Sequence, residues 1–491
     1  YKADQATIEN TPISSTDLME RAGQKCVDRI LNQGLDPSLQ VHIFCGMGNN
    51  GGDGLVIARL LFEKGYKINP YIVKVSKRSS RDFQINLKRL IRIGIVPQEI
   101  DDEKKFPVII FGELVIDAIF GIGLKGNPVG LAKGVIEKIN HSGAKIIAID
   151  IPSGLFSESP VTDKEAVIRA DLALTFQNPK LAYLLPDNGI FIKKWEVLDI
   201  GLDPASIEAA ESVYHTVDFE SIRCKLKVRD KFSHKGTYGH GLIIGGSFGK
   251  IGAVILASKA ALNAGSGLVT TYIPKCGYTS VQSSNPEVMV EVDDENYLQH
   301  FNFKTKATAI GIGVGMGTHL KTVKGFAAFL RRNEIPMVID ADAINILAAH
   351  QELSDLIVRG NILTPHPKEF ERLVGEWKND YDKLDKQLAF SKKHECLVVL
   401  KGTYTTISYQ GSIYFNTSGN AGLATAGSGD VLTGIITGFL AQGYDPLDAA
   451  LLGVYVHGRS ADLGIEASQS MESFTASDCI EHLGLVFKEF D

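Results

Sequence analysis

Short apolar runs that break into glycine, proline or an acidic residue recur along the whole chain. VHIFC (41–45) runs into a glycine-rich loop. VIDAIFGIG (115–123) and KIIAIDIPSG (145–154) repeat the order apolar strand, acid, then glycine or proline, and ADLALTF (170–176) is a further strand. Amphipathic stretches lie between them. Leu18, Ala22, Cys26 and Ile30 recur every four residues and predict a helix, and a second helix is expected from about Asp53 to Lys64. Strands with no polar face, alternating with helices, argue for a parallel sheet covered on both sides. The fold class expected is α/β.

The pattern weakens between about Asp203 and Asp230, which places a domain boundary near Phe219, within a dozen residues either way. It restarts at HGLIIGG (240–246) and continues through ATAIGIG (307–313), PMVIDAD (336–342), NILTP (361–365) and CLVVLKG (396–402). TTISY and SIYF (405–409 and 412–415), joined by Gln410 and Gly411, read as a hairpin. The end reads as helical over roughly 428–442, 446–463 and 475–489. A length of 491 residues, 44% of them hydrophobic, allows more than one large core.

Charge and composition exclude several classes. The net charge is −6 and no basic stripe is visible, which argues against a nucleic-acid partner. No apolar run reaches the ~18 residues of a membrane span, and no charged segment followed by an apolar one marks a secretory signal. The six cysteines form no C-x-x-C and read as buried free thiols of a reducing compartment, so a cytoplasmic enzyme is expected.

The sharpest local signal is Gly46-Met47-Gly48-Asn49-Asn50-Gly51-Gly52-Asp53-Gly54. Five glycines between a strand and a helix leave backbone N–H groups exposed at a helix N-terminus, an anion cradle. Its spacing is not that of G-x-G-x-x-G, so a conventional NAD-dependent dehydrogenase is disfavoured. Asp117 and Asp150 each end an apolar strand, where open α/β sheets bind ligands. The pair suggests a cation site plus an acid/base group, with Ser153 near enough to add an oxygen. Gly121-Ile122-Gly123-Leu124-Lys125-Gly126-Asn127 is a second flexible loop, with one cation able to meet phosphate.

In the second half, Asn420-Ala421-Gly422-Leu423-Ala424-Thr425-Ala426-Gly427-Ser428-Gly429-Asp430 leads into an apolar helix. Free N–H groups and the positive end of the helix meet there. Asp430, in the first turn, is placed to take a proton from a hydroxyl attacking phosphorus, though a helix cap is the alternative. Lys401-Gly402-Thr403-Tyr404-Thr405 suits a nucleotide phosphate or ribose, and His366 sits between prolines in a rigid loop. Gly245-Gly246-Ser247-Phe248-Gly249 and Gly313-Val314-Gly315-Met316-Gly317 are further strand-end glycine loops.

ISSTDLMERAG, GMGNNGGDGLVIAR, VIDAIFGIGLKG and AIDIPSG together resemble the NAD(P)H-hydrate epimerase family, over nearly all of 1–218. The resemblance implies a Rossmann-like domain that interconverts the R and S forms of the hydrated nicotinamide ring. It further implies that Asn49, Asn50, Gly51, Gly52 and Asp53, with Gly121 to Asn127, hold the substrate. Asn50, Asp117 and Ser153 would ligate K+, and Asp150 would contact the reacting ring as the acid/base group. HKGTYGHGLIIGGS, IGIGVGMG, VIDADAIN, LTPHPKEF, VLKGTYT and NAGLATAGSGDVLTG resemble the ADP- or ATP-dependent NAD(P)H-hydrate dehydratases, whose fold is ribokinase-like. This second resemblance covers roughly 225–490, within a domain set at 219–491. It implies that the nucleotide, with Mg2+, phosphorylates the hydrate hydroxyl and that phosphate then leaves. Lys401 to Thr405 and Gly429 would bind the nucleotide, and Ala253, Gly317, His366 and Asp430 the hydrated cofactor. Val314 and Met316 depart from the Pro and Leu more usual there, but stay apolar.

The partners expected are small molecules, the two hydrates and ADP, with a homo-oligomer as the expected assembly. The rival reading is a ribokinase-like small-molecule kinase with an N-terminal ligand-binding module. It leaves the chemistry-bearing residues of the first half without a task.

Overall fold

The computed structural model describes residues 2–294, 296–467 and 469–491. They form two compact units, one running to Glu211 and taking in Asn379–Tyr381, the other made of Ser212–Lys378 and Asp382–Asp491. The boundary thus falls before Phe219.

Seven strands build the sheet of the first unit: β1 (Gln40–Cys45), β2 (Lys67–Val73), β3 (Gln98–Ile100), β4 (Leu114–Ala118), β5 (Lys145–Ile149), β6 (Leu172–Phe176) and β7 (Trp195–Leu198). Their order is β3-β2-β1-β4-β5-β6-β7, all parallel. This is a doubly wound sheet whose strand order reverses between β1 and β4. The central strands β1, β4, β5 and β6 are mostly apolar because both of their faces are buried, whereas the edge strand β3 (Gln98-Glu99-Ile100) is largely exposed. Val41, Ile43 and Cys45 of β1 enter one core with Leu114, Ile116 and Ala118 of β4, while Phe44 and Val115 enter the other. The predicted stripe of Leu18, Ala22, Cys26 and Ile30 is the buried face of the helix Ser15–Leu31, which Ser14 caps by accepting from the Asp17 N–H.

Ten strands build the second sheet: β8 (Tyr214–Val217), β9 (His240–Ile244), β10 (Leu268–Ile273), β11 (Met289–Val292), β12 (Ala309–Ile312), β13 (Met337–Ile339), β14 (Ile362–Leu363), β15 (Leu397–Leu400), β16 (Thr406–Tyr409) and β17 (Ser412–Asn416). The order is β11-β10-β9-β12-β13-β14-β15-β16-β17-β8. Pairing is parallel from β11 to β15, antiparallel through the hairpin β16–β17, and parallel again between β17 and β8. Gln410 (φ 48°) and Gly411 (φ 87°) make the expected two-residue turn. The boundary moves upstream of Phe219 because Tyr214–Val217 is an edge strand of this sheet. Here too the strand order reverses beside the first strand of the parallel run, between β9 and β12. Helices Ser428–Ala441, Pro446–Ala467 and Ala476–Lys488 complete a core around Ile435, Phe439, Leu452 and Leu483.

Cys26, Cys45, Cys396 and Cys479 are buried free thiols, whereas Cys224 is exposed and Cys276 half-buried. No helix among the described residues is long and apolar enough to cross a membrane.

Candidate active sites

In the first unit the helix Asn49–Glu63 begins where β1 and β4 diverge. Its first turn is the stretch Asn49 to Asp53, so the helix starts earlier than the expected Asp53 and the glycines are not an open loop. They serve close approach instead. A Cβ on Gly46 would stand 1.9 Å from the Ile119 carbonyl oxygen, and one on Gly51 would stand 1.9 Å from the Gly46 carbonyl oxygen. The Gly52 N–H is already bonded to the Gly48 carbonyl, at 3.1 Å. The glycine run therefore presses the helix onto the turns after β1 and β4, and only part of it faces a cavity.

Beneath this turn lies a buried polar cluster. Asn50 is 8% exposed and donates through Nδ2 to the Phe120 carbonyl at 2.9 Å, while its Oδ1 is buried without a hydrogen-bond partner. Asp117, fully buried on β4, accepts from the Ser153 hydroxyl (2.6 Å), the Ser153 N–H (2.8 Å) and the Ile119 N–H (3.2 Å). The Ser153 hydroxyl in turn accepts from the Phe120 N–H at 2.8 Å. Burial pushes the Asp117 carboxyl up to about 6, against the pull of the Ser153 and Ile119 donors. Asn50 and Ser153 thus meet at the Phe120 backbone, and Asp117 joins them through Ser153. An amide oxygen left without a donor, one carboxylate and a hydroxyl form a hard, weakly charged oxygen set, which fits a monovalent cation. Among the described residues no group of three or more His, Cys, Asp or Glu is placed to hold a metal.

Asp150 stands apart from that cluster, at the end of β5, in the left-handed region at φ 62°. A non-glycine residue held there is strained, and strain of this kind collects at functional sites. Its N–H donates to the Leu174 carbonyl at 2.7 Å and its carbonyl accepts from the Tyr183 hydroxyl. It opens into a cavity of about 520 Å³, lined also by Asn49, Asp53, Ile122 and Lys180. Burial, reinforced by Asp150, pushes the Asp53 carboxyl well above the usual range. The structure brings Asn49, Asp53, Ile122 and Asp150 together, but Leu124, Lys125, Gly126 and Asn127 line a separate cavity of about 530 Å³ with Phe156–Pro160 and Thr162. Lys180 was not singled out from the sequence. Its position just after β6, beside the strand that carries Asp150, is the signal that points to it.

In the second unit the sequence-predicted residues follow successive strand ends. Gly313 to Gly317 follow β12, Asp340 follows β13, His366 follows β14 and Lys401 follows β15. A cavity of about 630 Å³ is lined by His366, Lys401, Gly402, Thr403, Thr405 and Gly429. Tyr404 is not part of that lining. The helix Ser428–Ala441 enters here with Gly427 (φ 88°) as its N-cap and no side-chain cap. Asp430 is therefore not a cap. Burial first, then the nearby Asp340, push its carboxyl up to about 7, with Lys401 opposing and Asp342 adding.

Lys401 Nζ lies 2.9 Å from Asp340 Oδ1, and the Thr433 hydroxyl donates to Asp340 Oδ2 at 2.7 Å. A Cβ on Gly429 would come within 3.2 Å of Lys401 Nζ, so the missing side chain leaves that ammonium room. His366 caps the helix Pro367–Val374, its Nδ1 accepting from the Lys368 and Glu369 N–H groups. It is a structural cap and a cavity wall at once. On the β12 side, the Gly317 N–H donates to Asp342 Oδ2 at 2.8 Å, and Ala253 lies under Gly315. Val314 and Met316 are fully buried. Asp340 and Asp342 belong to the VIDADAIN motif of the resemblance but carry no assigned role there, and His457 falls within the expected helix 446–463 without being singled out.

Residues 241–482 match the family described as NAD(P)H-hydrate dehydratase, and residues 15–182 the family described as YjeF-related protein N-terminus. A bifunctional NAD(P)H-hydrate repair enzyme from Moorella thermoacetica is 33% identical over 99% of this chain and 95% of its own. One from Escherichia coli is 31% identical over 91% of this chain and 85% of its own. A ribokinase-like superfamily protein from Enterococcus faecalis, 24% identical, superposes with a TM-score of 0.50 over 57% of this chain and 98% of that one.

Proposed function

The chain belongs to the bifunctional NAD(P)H-hydrate repair enzymes, and from that premise we propose how its residues divide the work. The first unit is the epimerase and the second the dehydratase, which restores NADH and NADPH at the expense of an adenine nucleotide. A lone kinase would leave the first unit idle, and relatives matching nearly the whole chain do not support that reading.

In the first unit, Asp150 is the proton-transfer group, with Asn49, Asp53 and Ile122 around the ring and Lys125 to Asn127 available to the rest of the cofactor. Potassium would be held by Asn50, Asp117 and Ser153. Its charge would fix the turn after β4 and, through it, the cavity wall at Ile122. The orphaned Asn50 Oδ1 is the observation that supports this placement.

In the second unit, Asp430 accepts the proton of the hydrate hydroxyl as that oxygen attacks phosphorus. ADP, entering as its Mg2+ complex, gives AMP and a phosphorylated hydrate. The ring nitrogen lone pair then expels phosphate, and loss of the neighbouring C–H proton restores the ring double bond. The helix N-terminus at Gly427 to Gly429 and the Lys401 ammonium stabilise the charge on the transferring group. Lys401 to Thr405 and Gly429 hold the nucleotide. Ala253, Gly317 and His366 flank the hydrate. The carrying observation is Asp430 itself, lifted toward neutrality inside an uncapped helix N-terminus.

The test mixes the protein with mixed-epimer NADPH hydrate, K+, Mg2+ and either ADP or ATP, and follows absorbance of the reduced nicotinamide. Full recovery with ADP is expected. Recovery of one epimer's share alone would remove the assignment of the first unit. The proposal includes a closed homo-oligomer in the cytoplasm, which light scattering on the native protein tests for assembly.

A further inference from the structure

Lys180 follows β6 and reaches back to Asp150 at the end of β5. Its Nζ lies 3.0 Å from Asp150 Oδ1, 3.3 Å from the Phe176 carbonyl and 3.4 Å from the Asn178 carbonyl. Three acceptors for three N–H bonds fix the direction of the ammonium. The two side chains are only 17% and 14% exposed, and both face the same cavity. The Thr175 hydroxyl (3.4 Å) and the Phe176 N–H (3.5 Å) also address Asp150 Oδ1. Each of the contacts made to the Asp150 carboxylate falls on Oδ1, which leaves Oδ2 for the cavity.

The charges around this pair are one-sided. Asp4 and Asp53 line the same cavity, and among the described residues that line it Lys180 is the only basic one. Asp82 adds its field at Asp53, and the buried Cys26 and Tyr183 feel Asp150. Crowded carboxylates oppose one another's ionisation, and a cation at hydrogen-bond distance reverses this for the group it touches.

We propose that Lys180 is a positioning residue for epimerisation: its ammonium pairs with the Asp150 carboxylate, pins Oδ1, and presents Oδ2 as the base. The proposal rests on the epimerase reading of the first unit. The hydrated ring carries its hydroxyl on the carbon bonded to the ring nitrogen. Oδ2 takes the hydroxyl proton, the O–H electron pair becomes a C=O bond, and the C–N bond breaks onto the ring nitrogen, whose charge spreads into the conjugated carboxamide. After rotation about the freed C–C bond, the nitrogen adds to the other face of the aldehyde. The carbonyl electron pair returns to oxygen, which recovers its proton from Asp150. Nothing is consumed, and the first step requires a carboxylate rather than a carboxylic acid.

The experiment measures conversion of purified R hydrate of NADPH against pH in the full chain, with turnover of the S hydrate by the second unit as the measure of active protein. Lys180→Met is expected to move the acid limb of epimerisation up by about one pH unit or more and to lower the rate near neutrality about tenfold. Lys180→Gln, which keeps a donor but no charge, should move the limb as Met does, and Lys180→Arg should return it. A wild-type profile in Lys180→Met or Lys180→Gln overturns the proposal while leaving the epimerase reading intact. Wild-type epimerisation in Asp150→Asn removes Asp150 as the base, and the proposal with it, whereas no conversion of the R hydrate by the unaltered chain overturns the epimerase reading itself.

Discussion

The imidazole of His457 and the backbone of Ser428 are joined in the wall of the cavity that Lys401 and Gly429 line. Nε2 donates to the Ser428 carbonyl at 3.1 Å and lies 3.2 Å from its hydroxyl. Burial pulls the imidazole down to about 4, so it is neutral in ordinary buffers and its single N–H sits on Nε2. His457 is thus the brace behind the Gly427–Asp430 turn. His457→Leu removes one of the two donors on the Ser428 carbonyl, which keeps its helical partner, a loss of about 0.5–1.5 kcal/mol. Dehydration should fall through a raised KM for the nucleotide, whereas His457→Gln, which places an amide N–H near the same point, should recover most of it. Steady-state kinetics with the S hydrate separate the two.

If Asp430 is the base, as proposed, it sets the pH response of dehydration. Its carboxyl is raised to about 7, and a base acts only when ionised, so kcat/KM should climb as pH rises through about 7 and level off above. Asp340 is the charged neighbour that contributes most to the rise. Asp340→Asn should therefore shift the acid limb to lower pH, although freeing Lys401 will also weaken nucleotide binding. Asp430→Ala should abolish dehydration while R-to-S conversion continues. A pH–rate series on the three proteins checks the sign.

Potassium dependence of epimerisation should reside in Asn50. Its Oδ1 is the buried acceptor left unpaired, while Nδ2 anchors the Phe120 carbonyl. Asn50→Ala removes both, and the concentration of K+ needed for half-maximal epimerisation should rise at least about tenfold, the scale of losing ~1.4 kcal/mol of binding. Titration of the epimerisation rate with K+ at constant ionic strength measures it.

The glycines of the first turn differ in what they tolerate. A methyl on Gly51 would sit 1.9 Å from a backbone oxygen that cannot swing aside, whereas one on Gly48 meets nothing within 4 Å. Gly51→Ala should cost about 3 kcal/mol or more, at the upper end of overpacking effects. Gly48→Ala should cost less than about 1 kcal/mol, since only cap preference changes. Denaturant unfolding followed at the first unit distinguishes them.

Much of the site was legible because parallel sheets gather ligands at strand ends, and Asp117, Asp150, His366 and Lys401 each close an apolar run. The start of the helix at Asn49 was not, because glycine ordinarily opposes helix formation. Here packing decides: the turn can approach Ile119 and Gly46 only without side chains. β2 was hidden by Asn69 and Pro70 in its middle. Pro70 is tolerated because β3 pairs only from Tyr71 onward. Lys180 belongs to Asn178-Pro179-Lys180, which carries no pattern of its own. Its role arises from β6 lying next to β5, a neighbour relation that local sequence does not encode.

The edge strand β8 carries a kinetic consequence. It is the first piece of the second unit to leave the ribosome, yet its partner is β17, and the Thr417 hydroxyl donates to the Val217 carbonyl across 200 residues of sequence. Closing so long a loop delays that pairing until almost the whole sheet exists. β8 must therefore wait, unpaired, through most of synthesis, and its docking is the act that seals the outer edge of the hairpin. A chain begun at Phe219 would keep every residue that lines the cavity beside Lys401 and Gly429 and still present β17 as an open edge, the kind of surface on which a second copy can pair.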